Sequence, residues 1–273
     1  LATLEIATGK VVWVDLGDRE DIYLARVDWT PDSSSLVFQV QSRDQKRLDL
    51  MAADPANGKS RIVLTETSDV WLNLHHNLHF LEQAPGEFIW ASERSGFQHL
   101  YRYDLNGRQI AQITSGAWVV TSLQAVDEDR DVLFFDGFAD TVLEKHLYEV
   151  PLDGDGGPRK ITSASGWHET IMASSGAGYI DYFSSSRVPP RVSLHAADGT
   201  QLTWLAENPM DQSHPYFPFM DRHQAPEIGT LEAEDGQTLY YSVLKPFDFD
   251  EDQHYPVIVY TYGGPGAQVV RRA

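Results

Sequence analysis

Along most of this chain apolar and polar residues alternate in short runs, and clusters of Asp, Asn and Gly separate the runs. A period of two is that of a β-strand, whose successive side chains point to opposite faces. Apolar strands are predicted over 35–39, 87–92, 131–135 and 179–183. Each leads through a polar connection to a second strand, over 48–53, 100–104, 146–151 and 191–195. A turn comes next: Asp54-Pro55-Ala56-Asn57-Gly58, Asp104-Leu105-Asn106-Gly107, Asp153-Gly154-Asp155-Gly156-Gly157 and Asp198-Gly199. A third strand then returns. Such turns supply the positive-φ positions that hairpins need, so the flanking strands should be antiparallel neighbours. No window of helical length places apolar residues at i, i+3, i+4 and i+7, so the chain reads as nearly all β.

The pattern is also a repeat. Thr65-Glu66-Thr67-Ser68-Asp69-Val70-Trp71, Thr114-Ser115-Gly116-Ala117-Trp118 and Thr162-Ser163-Ala164-Ser165-Gly166-Trp167 share a landmark, with the tryptophans 47 and 49 residues apart. Short strands and turns repeating at this length are the signature of propeller blades, which a sandwich does not produce. The repeat gives about four blades between Ile22 and Asn208, so residues 1–208 read as a partial β-propeller. Ahead of them, 2–6 and 10–16 flank the turn Thr8-Gly9 and look like the last two strands of a further blade. Residues 209–226 hold four prolines and read as a linker. Strands are then predicted over 227–245, around the turn Glu234-Asp235-Gly236-Gln237, and over 255–262. The second of these, Tyr255-Pro256-Val257-Ile258-Val259-Tyr260-Thr261-Tyr262, is continuously apolar. A run of that kind suggests a strand buried on both faces, in the centre of an α/β sheet. Residues 227–273 are therefore expected to begin a second domain.

Composition narrows the function classes. Lys and Arg number 21 against 40 Asp and Glu, a formal net charge of −19, which repels phosphate backbones and argues against nucleic acid as a partner. There is no cysteine, so disulfides and thiolate metal sites are excluded for this stretch. The longest apolar run is too short to span a bilayer as a helix. No set of His, Asp or Glu has metal-ligand spacing, and no phosphate-cradling glycine motif appears, so neither metal nor cofactor is expected. The chain opens on Leu1 inside a predicted strand and reads as a piece of a longer polypeptide.

The most informative chemistry lies in Tyr262-Gly263-Gly264-Pro265. A strand, an aromatic residue and two glycines is what an oxyanion-binding loop of an α/β-hydrolase needs. The glycines admit close backbone approach, and the phenol can donate to a developing oxyanion. A tight turn that happens to contain Gly-Gly-Pro is the alternative.

Five stretches carry a family likeness: Asp69-Val70-Trp71-Leu72-Asn73-Leu74-His75, Ala91-Ser92-Glu93-Arg94-Ser95-Gly96-Phe97-Gln98-His99-Leu100-Tyr101, Ile113-Thr114-Ser115-Gly116-Ala117-Trp118, Glu144-Lys145-His146-Leu147-Tyr148, and residues 255–265. In their order and spacing, over its whole length, the chain resembles the dipeptidyl peptidase IV subfamily of the prolyl oligopeptidases, especially its dipeptidyl peptidase 8/9-like branch. The resemblance implies an eight-bladed propeller joined to an α/β-hydrolase domain, and removal of N-terminal Xaa-Pro dipeptides from peptides. It places Tyr262 at the family's oxyanion-hole tyrosine, and His75 and His76 near the propeller loop that lines the substrate pocket. It leaves room for a homodimeric parent and, for a Gram-negative source, implies a periplasmic one.

Departures from the family matter as much. The Gly-x-Ser-x-Gly elbow of such hydrolases is absent; Gly58-Lys59-Ser60 continues as Arg61-Ile62. The family's Ser, Asp and His would fall beyond Ala273, and its amine-binding glutamate pair before Leu1. The acidic runs Asp127-Glu128-Asp129 and Asp250-Glu251-Asp252 are expected to be solvated turns. The chain alone is therefore expected to be inactive. Two other readings stay open: a non-catalytic propeller that binds proteins, and an acylaminoacyl or oligopeptidase relative.

Overall fold

A computed structural model describes residues 1–264 and 267–273. Strands β1 (Ala2–Glu5) and β2 (Lys10–Trp13) form a hairpin. Four blades follow, each built from four strands in sequence order. The first contains β3 (Ile22–Trp29), β4 (Leu36–Ser42), β5 (Arg47–Ala53) and β6 (Ser60–Thr67). The second contains β7 (His79–Phe80), β8 (Glu87–Ser92), β9 (His99–Asp104) and β10 (Gln109–Gln112). The third is β11 (Val120–Asp127), β12 (Val132–Gly137), β13 (His146–Pro151) and β14 (Arg159–Lys160). The fourth is β15 (Trp167–Met172), β16 (Gly178–Ser185), β17 (Val188–Ala196) and β18 (Gln201–Ala206). A hairpin of β19 (Glu227–Glu232) and β20 (Thr238–Val243) comes last. The sole helical element among the described residues is a 3-10 turn, Phe217–Arg222, inside the proline-rich connection. No helix among them is long and apolar enough to cross a membrane.

The inner strands explain their own composition. In β4, Val37 feeds a cluster with Leu48, Leu50, Phe88 and Trp90, while Leu36, Phe38 and Val40 join another with Val14 and Met51. Both faces of β4 and β5 are thus buried, one against each neighbouring layer. This corrects one premise of the sequence reading. A continuous apolar run does not distinguish an α/β strand from a blade strand, because a blade packed on both sides needs the same run.

Residues 255–262 also differ from expectation. They pair with no strand among the described residues, and Val257, Ile258, Val259 and Tyr260 are exposed. Periodicity identified an apolar extended segment; strand status requires a hydrogen-bonding neighbour, and no described residue supplies one.

The compact units of the chain are residues 1–133 with 150–158, and residues 134–149 with 159–273. Within them, successive blades join through the backbone. The N–H groups of Leu72, Val120 and His168, just past each landmark, donate to the carbonyls of Gln45, Gln98 and Lys145 at 2.7, 2.9 and 3.0 Å. The landmark threonine has a second duty. Thr114 Oγ1 accepts the Leu100 N–H (2.9 Å) and contacts His99 Nδ1 (3.0 Å), and Thr162 treats Leu147 and His146 in the same way.

The turns before the fourth strands touch the preceding layer. Gly107 has φ +82°, and a Cβ there would lie 2.1 Å from the Val63 carbonyl oxygen of β6. Gly58 against Trp13, Gly154 against Gln112 and Gly199 against Ile161 repeat the contact. Gly156, at φ +81°, has nothing within 4 Å. Replacing Gly156 by Ala should therefore cost only the positive-φ penalty, ~1–2 kcal/mol. Gly107→Ala should cost ~1–3 kcal/mol more, because a backbone oxygen must move. Urea midpoints of the two variants, measured side by side, check the difference.

Candidate functional site

Of the residues singled out by sequence, His75 and His76 sit in the irregular stretch 71–78 that precedes the short β7. Two buried glutamines of β4 hold this stretch in place. Gln41 Nε2 donates to the Leu72 carbonyl (2.6 Å) and Gln39 Nε2 to that of His75 (3.3 Å). The two histidines then diverge. His75 turns inward, its ring edge-on to Trp90 at 4.4 Å, and its Nδ1 accepts the Asn77 N–H (3.2 Å). His76 is exposed. Burial pushes the His75 pKa down from 6.5 to about 4, because an imidazolium there would lose its hydration. The pair therefore does not present two equivalent side chains to a ligand.

Beside His75 lies a polar centre that sequence reasoning missed. The Glu66 carboxylate accepts hydrogen bonds from Trp90 Nε1 (3.1 Å), Ser92 Oγ (2.9 Å) and Arg94 Nη2. Arg94 also contacts the Tyr103 hydroxyl, and its guanidinium lies 4.7 Å from the centroid of the Tyr101 ring. Burial alone would lower the Arg94 pKa, but the Glu66 charge outweighs it and the net shift is upward. Glu66 and Leu64 occupy inward positions of β6. An acid on the apolar phase of an alternating strand requires a buried cation or several donors, and that signal was present in the sequence. A cavity of about 20 Å³, room for one water, is lined by Glu66, Leu72, His75, Ser92 and Gln98 among others.

Tyr262 belongs to the second unit and is 59% exposed. Nothing lies within 4 Å of a Cβ built on Gly263, and one on Gly264 would meet only the Tyr262 ring. The Pro265 and Gly266 of this predicted loop lie outside the described residues. A larger hollow of about 250 Å³ sits below β20, walled by Glu227, Lys245, Phe247 and Phe249. Its lining contains no hydroxyl or imidazole, and its Lys245 ammonium is paired with the Glu227 carboxylate at 2.9 Å.

One serine does meet a histidine. Ser193 Oγ is 2.8 Å from His195 Nε2, and His195 Nδ1 is 3.0 Å from the Gly199 carbonyl. The geometry is that of an activated nucleophile, yet Ser193 is only 3% exposed, within β17. A substrate carbonyl cannot reach it, so the pair is structural. The acidic run Asp127-Glu128-Asp129 is likewise more than a solvated turn. Glu128 accepts the N–H groups of Glu82 and Gln83, both at 2.7 Å. Among the described residues, no group of three or more His, Asp or Glu could hold a metal ion.

Comparison with known proteins places this geometry. Residues 1–190 match the family model described as the dipeptidyl peptidase IV (DPP IV) N-terminal region. Dipeptidyl peptidase 8 of Mus musculus is 28% identical over 300 residues, covering 96% of this chain and 33% of the relative. The Homo sapiens protein of the same name is also 28% identical, with 96% and 32% covered. The crystal structure of Porphyromonas gingivalis dipeptidyl peptidase 4 superposes with a TM-score of 0.89 at 24% identity, covering 99% of this chain and 38% of that one. The chain thus spans about a third of the length of the curated relatives it matches.

The depressed His75 pKa carries a sign. Between about 6.5 and about 4 the unfolded chain binds a proton at this histidine and the folded chain does not. Its contribution to stability is therefore constant above that window and falls as pH drops through it. Urea midpoints should fall less steeply between pH 6.5 and 4 in His75→Phe than in the wild type. An imidazole NMR signal titrating near 4 would identify the group directly.

Proposed function

The chain belongs to the dipeptidyl peptidase IV N-terminal region family, and from that premise we propose that its intact gene product is a serine-type dipeptidyl peptidase. The observation that carries the reading is the family match over residues 1–190, continued to 96% of the chain by relatives named as dipeptidyl peptidases. In this reading the product removes N-terminal dipeptides with proline in the second position, and works as a homodimer. Residues 1–208 supply blades that restrict access to the active site, 209–226 form the linker, and 227–273 begin the peptidase domain.

Tyr262 is assigned the oxyanion role. A phenol O–H aimed at the position where the scissile carbonyl oxygen gains charge stabilises the tetrahedral intermediate more than the ground state. Its exposure and the open space around Gly263 favour this role. The 71–78 stretch, with His75 neutral and His76 exposed, is assigned to the wall of the substrate pocket. The nucleophile, its base and the orienting acid are assigned to sequence outside this chain, which holds no Gly-x-Ser-x-Gly.

A glycyl-prolyl chromogenic substrate tests the proposal on the chain and the intact gene product side by side. The intact product should turn it over, Tyr262→Phe should lower kcat by ~10²–10³, and the 273-residue chain should be inactive. Turnover by the chain alone would mean that its own residues carry the chemistry. An inactive intact product would move the weight to a protein-binding propeller, and cleavage only of blocked or longer peptides to an oligopeptidase relative.

A further inference from the structure

The last residues of the chain return to the third blade. Glu144 precedes β13, and its side chain is 9% exposed. Its Oε1 accepts hydrogen bonds from Ser165 Oγ (2.5 Å) and Arg272 Nη1 (2.6 Å), while Oε2 faces His146 Nε2 at 3.1 Å. The Arg272 N–H donates to the Leu143 carbonyl at 2.9 Å, so backbone and side chain of one residue grip two consecutive positions. The neighbouring Arg271 sets its guanidinium 5.0 Å from the centroid of Trp167, the third landmark tryptophan. Lys145 approaches the same ring at 5.6 Å.

These contacts join residues 128 positions apart. Burial opposes ionisation of Glu144, yet hydrogen bonds from Ser165, Arg272 and His146 outweigh it and hold the carboxyl at about 2. The acceptor is thus an anion throughout the physiological range, and three donors fix its orientation. Arg272 is the more exposed partner, half-exposed on a short arm. At the start of that arm the Ala267 N–H donates to the Gly264 carbonyl (3.1 Å). From Ala267 to Arg272 the backbone can span at most about 18 Å. The Tyr262-Gly263-Gly264 stretch is therefore leashed to the third blade over a short reach.

We propose that Glu144 and Arg272 form a clasp between the third blade and residues 267–273, and act as positioning residues for Tyr262. The clasp itself rests only on the contacts above; its catalytic consequence rests on the oxyanion reading of Tyr262. A phenol donor is effective only when held at the site of developing charge, and a displacement of about 1 Å can cost ~10²-fold in rate. A single Arg272 nitrogen meets the carboxylate, so a lysine can replace it.

The test uses the intact gene product and four variants: Glu144→Gln, Arg272→Gln, Arg272→Lys and the double Gln variant. In Glu144→Gln and Arg272→Gln, amide hydrogen exchange of residues 267–273 should rise about tenfold, with β5 unchanged. Their kcat should fall ~10- to 10²-fold with KM nearly unaffected. Arg272→Lys should stay close to wild type, and the double variant should be no worse than either single one. Arg272→Gln keeps the test decisive if the loss of Glu144 disturbs folding. Unchanged exchange in that variant overturns the clasp. Faster exchange with unaltered kcat in an active enzyme overturns the positioning role alone. Faster exchange in a gene product with no peptidase activity keeps the clasp and removes the function assigned above.

Discussion

The closeness with which one blade's turn meets the backbone of the preceding layer is the constraint on which the rest of the structure depends. At Gly58, Gly107, Gly154 and Gly199 an added Cβ would stand 2.0 to 2.8 Å from a carbonyl oxygen. No side chain other than hydrogen fits, so the spacing of these layers is set by peptide groups in near contact. With that spacing fixed, β4 and β5 must be apolar on both faces, and aromatic residues such as Phe38, Phe88 and Trp90 fill the gap. The polar exceptions then need internal partners. Gln39 and Gln41 find them in the 71–78 stretch, and Glu66 in Arg94, Ser92 and Trp90.

Much of this was legible in the sequence. The predicted strands 87–92 and 146–151 coincide with β8 and β13, because alternation, turn residues and strand length agree there. The landmark segments that end in Trp71, Trp118 and Trp167 marked the joints, although their reason was not visible. Thr114 meets His99 across a hairpin, and no local periodicity encodes that pairing. Glu66 and Arg94 were harder still, since they lie 28 positions apart on different blades. The apolar stretch 255–262 shows the limit of a local signal. Its composition is that of a strand, but hydrogen-bonding partners belong to the fold and not to the segment.

The candidate site residues sit in unlike surroundings. Adjacency in sequence made His75 and His76 look like one feature, whereas packing on Trp90 turns the first inward and favours its neutral form, and the second stays in water. Tyr262 was chosen for its glycine context, and it stands exposed. The Ser193–His195 pair shows why contact alone is insufficient: the hydrogen bond is right and the accessibility is wrong.

The joints between blades have one more consequence. Leu72, Val120 and His168 reach back to Gln45, Gln98 and Lys145 through amide and carbonyl groups alone. A joint made of main chain is blind to the identity of the residues that form it. Mutation can rewrite the side chains around such a hinge point without dissolving it, so long as no proline removes the amide. Descent can therefore erode the text of these blades far faster than their architecture, and lineages that have drifted apart letter by letter can still be superimposed.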